Sequence, residues 1–324
     1  MRLALWGAGN TLVQVIDEID RRFHSIEYLI DSNVEGDDIS KWGIPVRHYS
    51  NIDLSSIDSI VITTKFQREV LDTIEKVFPD IEIPVFLDME HFLAWEYVNI
   101  IHKEILENPL YQILAQNQFS YNTDKRLQYL EIYDRYFSRF RDKEVVFLEI
   151  GVYHGGSLKL WKEYFGSKCK IIGVDINPDC EKYREEQVEI EIGSQESGFF
   201  WEYIKSKYPR IDIVLDDGGH TMKQQITTFT ELFPCLSQNG IYMCEDVFTS
   251  YWGKWGGNWQ NQSTFVEFVK GLVDHMNTKF APTEPYWNNH YVHDIKSICF
   301  HQGICVMEKD IIRKKLDNML LRQN

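Results

Sequence analysis

Ile211-Asp212-Ile213-Val214-Leu215-Asp216-Asp217-Gly218-Gly219-His220 is the stretch on which the reading of this chain turns. A short apolar run reads as a buried strand, and it ends in two carboxylates, two glycines and an imidazole. Ligands of open α/β sheets bind beyond the carboxyl ends of the strands, so Asp216, Asp217 and His220 stand where such a sheet does its chemistry. A second run, Gly240-Ile241-Tyr242-Met243-Cys244, delivers Glu245-Asp246 at the equivalent height. Carboxylates packed together without a cation repel and raise one another's pKa, so a hard divalent ion with oxygen ligands, Mg²⁺ first, is their natural partner. Such an ion would lower the pKa of an acceptor hydroxyl, and His220 would take the proton as general base. Singly, the same residues have plainer uses: Asp216 capping a turn, Glu245-Asp246 capping a helix, His220 as a packed histidine.

Upstream, Val145-Val146-Phe147-Leu148 runs into Glu149-Ile150-Gly151-Val152-Tyr153-His154-Gly155-Gly156-Ser157, and a helical pattern follows. Glycines at a strand-to-helix turn let the backbone approach a ligand where a Cβ would block it. One strand later Ile171-Ile172-Gly173-Val174 ends in Asp175, a carboxylate suited to both hydroxyls of a ribose. Together these fit a nucleoside-bearing cofactor. The turn is not a dinucleotide G-x-G-x-x-G, and apolar runs at 295–300 and 304–308, split by His301-Gln302-Gly303, read as a closing hairpin foreign to dinucleotide folds. S-adenosylmethionine is therefore expected rather than NAD, with Glu149, Gly151, Asp175 and Asp216 as candidate cofactor contacts. His154 is assigned no chemistry.

The combination of Leu148-Glu149-Ile150-Gly151, Trp161-Lys162-Glu163-Tyr164-Phe165, Asp175-Ile176, Asp216-Asp217-Gly218-Gly219-His220 and Glu245-Asp246 followed by Thr249-Ser250-Tyr251-Trp252 resembles the class I, metal-dependent sugar O-methyltransferases typified by the mycinamicin and macrocin enzymes of macrolide biosynthesis. The resemblance runs from Phe147 to Trp252. It implies metal ligands at Asp217, Glu245 and Asp246 and a base at His220. Asn122-Thr123-Asp124-Lys125 is similar to a short family motif, which implies that Thr123 and Lys125 meet the methionine end of the cofactor. Two departures stand out: the family usually has serine where Gly219 stands, and Gly193-Ser194-Gln195 replaces a more acidic motif. Ser194 and Gln195 are the candidates on the adenine side.

Outward from this core, the 324 residues exceed one compact domain. Strand signals at 2–6, 26–30, 59–63 and 84–87 with a helix at 11–23 make residues 1–95 a small Rossmann-like domain. Residues 96–141 read as a helical connector and cap, and residues 142–324 as the methyltransferase domain, with apolar runs at 145–150, 170–175, 211–216 and 240–244. The expected fold class is α/β: two Rossmann-like domains, the C-terminal one a class I S-adenosylmethionine-dependent methyltransferase fold with a closing antiparallel hairpin. In the first domain Gly7-Ala8-Gly9-Asn10-Thr11-Leu12, with Asp31 closing the next strand, is similar to a dinucleotide fingerprint whose third glycine has become Leu12. The domain looks similar to those attached to enzymes of bacterial surface-sugar assembly. Nucleotide or nucleotide-sugar binding, dimerisation and scaffolding all stay open, with the non-catalytic uses favoured because no acid, base or nucleophile gathers there.

Composition sets outer limits. Hydrophobic residues at 44% and aromatics at 14% supply two cores and argue against extensive disorder. With 34 Lys and Arg against 49 Asp and Glu, a net charge of -15 repels phosphate backbones and anionic lipid, so neither a nucleic acid polymer nor a membrane is an expected partner. Apolar Arg2-Leu3-Ala4-Leu5-Trp6 runs straight into the glycine turn without the form of a leader. The six cysteines have no C-x-x-C spacing and read as buried free thiols of a cytoplasmic protein. Tyr251-Trp252-Gly253-Lys254-Trp255-Gly256-Gly257-Asn258-Trp259 suits either a mobile lid over a sugar face or packing against the cap, and His290 and His293 either line the acceptor pocket or are structural.

The expected function is methyl transfer from S-adenosylmethionine, dependent on Mg²⁺ or another divalent cation, to a sugar hydroxyl. The expected acceptor is a nucleotide-activated hexose or heptose of bacterial surface (capsular) polysaccharide biosynthesis, with a glycosylated natural product as the alternative. The rivals are an NAD-dependent oxidoreductase or epimerase driven by the first domain and a non-enzymatic assembly module. Homo-oligomerisation is left open.

Overall fold

The computed structural model describes residues 1–310 except 20, 36, 37, 97, 98, 101, 102, 118–120, 122, 124 and 278–293. Asn122, Asp124, His290 and His293 of the sequence reading lie outside the described residues. The chain divides into two compact units, Met1–Leu106 and Glu107–Asn324.

In the first unit, β1 (Arg2–Trp6), β2 (Ser25–Ile30), β3 (Asp38–Ile39), β4 (Pro45–Arg47), β5 (Ser59–Ile62) and β6 (Val85–Phe86) form a sheet of order β3-β4-β2-β1-β5-β6, parallel except for β3. β1 alternates: Leu3 and Leu5 bury into one apolar cluster, and Ala4 and Trp6 into another. Of the helices α1 (Asn10–Val15), α2 (Gln67–Val77) and α3 (Met89–Glu96), α1 and α3 feed the first cluster through Leu12 and Phe92, and α2 feeds the second through Val70 and Ile74. Both faces are thus covered, as a parallel sheet requires. The helix expected over 11–23 ends at Val15, where β-branched Val15 and Ile16 disfavour continuation, and a short 3-10 turn takes over. Leu12 is fully buried, filling the space that a third fingerprint glycine leaves for close helix–strand packing. His24 Nε2 lies 2.9 Å from Glu96 Oε1 in the interior, pinning the end of α3 to this unit.

The second unit is a seven-stranded sheet built from β7 (Val146–Ile150), β8 (Lys170–Asp175), β9 (Val188–Ile192), β10 (Ile211–Asp216), β11 (Leu236–Cys244), β12 (Ile295–Phe300) and β13 (Cys305–Lys309). Its order is β12-β13-β11-β10-β7-β8-β9, and β13 alone runs antiparallel to its neighbours. The helices are α4 (Pro109–Gln116), α5 (Tyr129–Phe137), α6 (Gly156–Phe165), α7 (Gly198–Lys207), α8 (Met222–Leu232) and α9 (Phe265–Asn277). Phe147 of β7 packs with α4, α5 and α6 on one face, while Leu148 and Ile150 pack with α7, α8 and α9 on the other. The segment read as a connector therefore contributes Leu110, Leu114, Tyr129, Tyr133 and Phe137 directly to the core of this unit, against Trp161. Among the described residues no helix is long and apolar enough to cross a membrane. No cysteine is in a disulfide; Cys169, Cys180, Cys244 and Cys305 are buried, whereas Cys235 is exposed.

Candidate active site

The site grows from the paired ends of β10 and β11. Asp216 stands opposite Cys244 in the parallel register, and the Glu245 amide donates to the Asp216 carbonyl at 2.9 Å. The next residues of each strand, Asp217 and Glu245-Asp246, are thereby delivered side by side. His220 and Asp246 both adopt left-handed backbone, φ +58° and +51°, a conformation few non-glycine residues occupy. Strain of this kind persists where surrounding structure over-determines it, and it clusters at functional sites. Thr249 Oγ1 lies 3.1 Å from the His220 carbonyl and 2.9 Å from that of Asp246, tying the two strained turns together.

His220 Nε2 lies 3.9 Å from both Asp217 Oδ1 and Asp246 Oδ2. One polar atom from each of these three residues falls within 4.8 Å of the other two, which sets two carboxylates suited to a hard divalent ion beside an imidazole. The other oxygen of Asp217 is engaged elsewhere: Lys125 Nζ sits 2.6 Å from Asp217 Oδ2, 2.8 Å from Glu245 Oε1 and 3.3 Å from Glu149 Oε1. One ammonium among three carboxylates is held firmly charged against the effect of its burial, while burial and Asp217 together push Glu245 up against the pull of Lys125. Tyr129 OH donates to Asp246 Oδ1 at 3.0 Å, and Arg126 Nε lies 3.9 Å from the same oxygen. Sequence reasoning missed Arg126, Tyr129 and Tyr133; the i, i+4 spacing of the two tyrosines on a helix was the available signal.

Gly151 has φ +95°, and a Cβ there would lie 2.1 Å from the Asp217 carbonyl oxygen. The close approach that demands glycine is therefore that of the neighbouring strand end carrying Asp217. Asp175 Oδ2 accepts from the Val152 and Tyr153 amides at 2.9 and 3.0 Å, and Oδ1 from Asn177 at 2.8 Å, folding the glycine turn onto the end of β8. Glu149 is wholly buried and accepts from Ser157 Oγ at 2.8 Å and Trp161 Nε1 at 3.1 Å. Thr123 is half-buried and its Oγ1 accepts from the Lys125 amide at 3.4 Å.

Gln195 links the ends of β9 and β10: its Nε2 donates to Asp216 Oδ1 at 2.7 Å, and its Oε1 accepts from the Gly219 amide at 2.9 Å. Ser194 Oγ accepts from the Glu196 amide at 3.3 Å. A Cβ on Gly219 would lie 2.4 Å from Gln224 Oε1, the side chain that closes the capping box with Thr221 at the start of α8. The glycine at this departure from the family pattern thus makes room for a helix cap. Following His220, Thr221 and Met222 wall a groove of about 610 Å³, with Ile226, Lys254 and Trp255 among its other lining residues. The tryptophan-rich stretch folds back on itself, Gly257 and Asn258 amides donating to the Trp252 and Ser250 carbonyls at 3.0 and 2.9 Å, and leaves Trp252 and Trp259 48% and 73% exposed.

Asp216 is 1% exposed, and its carboxylate accepts from Tyr242 OH at 2.8 Å as well as from Gln195. Burial pushes its pKa up to about 7 against these hydrogen bonds. A folded-state value above the unfolded one gives stability fully present below about pH 4 and lost as pH rises through about 7. The unfolding temperature of wild type should accordingly fall more steeply between about pH 4 and 7 than that of Asp216→Asn. Glu245 contributes slope of the same sign to both proteins, so parallel curves would remove Asp216 as the source.

An order of β12-β13-β11-β10-β7-β8-β9 with the reversed β13 is the class I S-adenosylmethionine-dependent methyltransferase fold, and the second unit has it. No family model matches the chain. Among curated proteins the chain is 34% identical over 195 residues to 8-demethyl-8-alpha-L-rhamnosyl tetracenomycin-C 2'-O-methyltransferase of Streptomyces olivaceus, covering 56% of this chain and 50% of that protein. It is 33% identical over 188 residues to mycinamicin VI 2''-O-methyltransferase of Micromonospora griseorubida, covering 55% and 47% respectively. The chain thus spans about half the length of the curated relatives it matches. Among solved structures it is similar to MycE methyltransferase from the mycinamycin biosynthetic pathway in complex with Mg and SAH, with TM-score 0.56 and 29% identity over 61% of this chain and 53% of that one. The MycE complex with Mg, SAH and mycinamycin VI gives TM-score 0.56 and 25% identity over 69% and 62%.

Proposed function

We propose that the chain is an S-adenosylmethionine-dependent, divalent-metal-dependent O-methyltransferase acting on a sugar hydroxyl of a glycosylated natural product. The observation that carries this reading is the convergence of Asp217, His220 and Asp246 within 4.8 Å at two neighbouring strand ends of a class I sheet. Asp217 and Asp246 would hold the ion, with Glu245 completing the acidic wall; the bound ion supplies Lewis acidity to the acceptor hydroxyl. The methyl carbon leaves sulfur for the hydroxyl oxygen, so one C–S bond breaks, one C–O bond forms, and S-adenosylhomocysteine departs neutral at sulfur. His220 Nε2 takes the hydroxyl proton, and the positive charge left on the ring faces the Asp217 and Asp246 carboxylates.

The relatives' names place their methyl groups on rhamnosyl tetracenomycin C and on mycinamicin VI. This favours a sugar already attached to a natural product over the nucleotide-activated surface sugar expected from the sequence. The test supplies methyl-labelled S-adenosylmethionine and Mg²⁺ to the full chain with two acceptor sets, glycosylated macrolides or aromatic polyketides and nucleotide-activated hexoses. Label is expected in the glycosides, abolished by EDTA and restored by Mg²⁺. Calorimetry that finds no binding of S-adenosylmethionine or S-adenosylhomocysteine would sink the reading.

A further inference from the structure

Three carboxylates of the site meet at a cation the chain itself provides. The Lys125 side chain is 3% exposed, and its ammonium touches Asp217, Glu245 and Glu149. An ammonium sealed from water has lost its hydration, so it needs partners of this number and closeness to remain charged. The Tyr133 ring, centred 5.8 Å from Nζ, closes another side. Asp217 turns Oδ2 to this ammonium and Oδ1 towards His220, whereas Asp246 is engaged by Tyr129 and Arg126. The acidic cluster therefore contains two neighbouring cation positions that share Asp217. Lys125 fills one; the other is bounded by Asp217, His220 and Asp246.

We propose that Lys125 is the resident cation of the site, acting as counter-ion to Asp217 and Glu245 and competing with a divalent ion for their oxygens. The proposal rests on the metal-dependent reading above. Without the ammonium an incoming ion would meet an additional net negative charge and two freed carboxylate oxygens, and would bind more tightly. Without the ammonium and without an ion, three carboxylates would face one another in the interior, an arrangement strongly unfavourable to folding. Lys125 is thus a positioning residue: it keeps the carboxylates assembled before the ion arrives and holds the affinity down so that the ion can leave.

The test measures Mn²⁺ binding to the full chain, without cofactor or sugar, by the electron paramagnetic resonance of the free ion at one fixed pH. Lys125→Met should bind Mn²⁺ about ten-fold or more tighter than wild type, as expected for removing a positive charge a few ångströms away. Lys125→Arg, which keeps the charge, should stay close to wild type. The melting temperature of Lys125→Met should fall without metal and be raised by Mn²⁺ more than that of wild type. Should Lys125→Met fail to fold, Lys125→Met with Glu149→Gln restores the formal charge of the cluster, and tighter binding there reports the vacated position itself. Mn²⁺ bound by wild type and no more tightly by a folded Lys125→Met, or by the double variant where the single one does not fold, overturns the proposal and leaves the metal-dependent reading standing. Absence of Mn²⁺ binding to every protein overturns both.

Discussion

Replacing His220 with asparagine lowers kcat of the proposed methyl transfer by about 10²–10⁴-fold, while binding of S-adenosylmethionine and Mn²⁺ stays within a few-fold of wild type. The acceptor proton must leave as the methyl arrives, and Nε2 is the basic atom poised between Asp217 and Asp246. Nδ1 is buried and has no hydrogen-bond partner among the described residues, so Nε2 is the nitrogen that faces the reaction. Asparagine is the sharper replacement because, like histidine, it adopts the φ of +58° at this position more readily than alanine does, so the loss of the base is read with less change in backbone strain. If kcat changes by less than about three-fold, the imidazole is not the proton acceptor, and a water held by the carboxylates would have to serve instead.

The parts of the molecule that could be read from the sequence are those where one periodicity or one strand end carries the information. The runs at 145–150, 170–175 and 211–216 become β7, β8 and β10, and the split apolar pair near the C-terminal end becomes the antiparallel β12 and β13. β9, Val188-Glu189-Ile190-Glu191-Ile192, carries the period-two alternation of a strand and was passed over because the neighbouring strands show themselves as continuous apolar runs instead. Glu191 is nonetheless buried, since Lys207, Tyr203 and Tyr208 surround its carboxylate at the sheet edge. β3 and β4 escaped notice because strands of two and three residues carry no measurable alternation. In the site, Asp217, His220, Glu245 and Asp246 could be nominated because all four come within a few residues of the end of an apolar run. The role of Lys125 could not, because Lys125 meets Asp217 and Glu245 across separations of 92 and 120 residues and belongs to no strand end.

The same geometry explains why α5 bears on the site although its sequence reads only as an aromatic helix. From Lys125 to Tyr133 the chain lays an ammonium, a guanidinium, a phenol and an aromatic ring along the acidic cluster. The same helix buries Tyr129, Tyr133 and Phe137 in the core of the second unit. Packing and electrostatics are therefore joined along one short stretch of chain, and a change that loosens the seat of α5 also disturbs Lys125 just before it, the cation that holds Asp217 and Glu245.

Gly151→Ala is expected to destabilise the protein by roughly 2–5 kcal/mol and to disable the site in whatever fraction still folds. Two effects add. A φ of +95° is strained for any residue with a side chain, and the new Cβ would meet the Asp217 carbonyl oxygen at 2.1 Å and the α-carbon of Gly218 at 3.3 Å. These obstacles are backbone, not the end of a flexible side chain, so relief requires moving the turn that carries Asp217. That turn is anchored by the Asp217 amide donating to the Ile150 carbonyl at 3.0 Å and by Gln195 holding Gly219, so it cannot retreat without breaking hydrogen bonds in the interior. Thermal unfolding measures the first effect, and Mn²⁺ affinity of the surviving folded protein measures the second. A fully stable variant would show that β7 and β10 can spread at their tips. A destabilised variant with wild-type Mn²⁺ affinity would show instead that Asp217 keeps its place when its neighbour is displaced, and would separate the support of the fold from the support of the metal site.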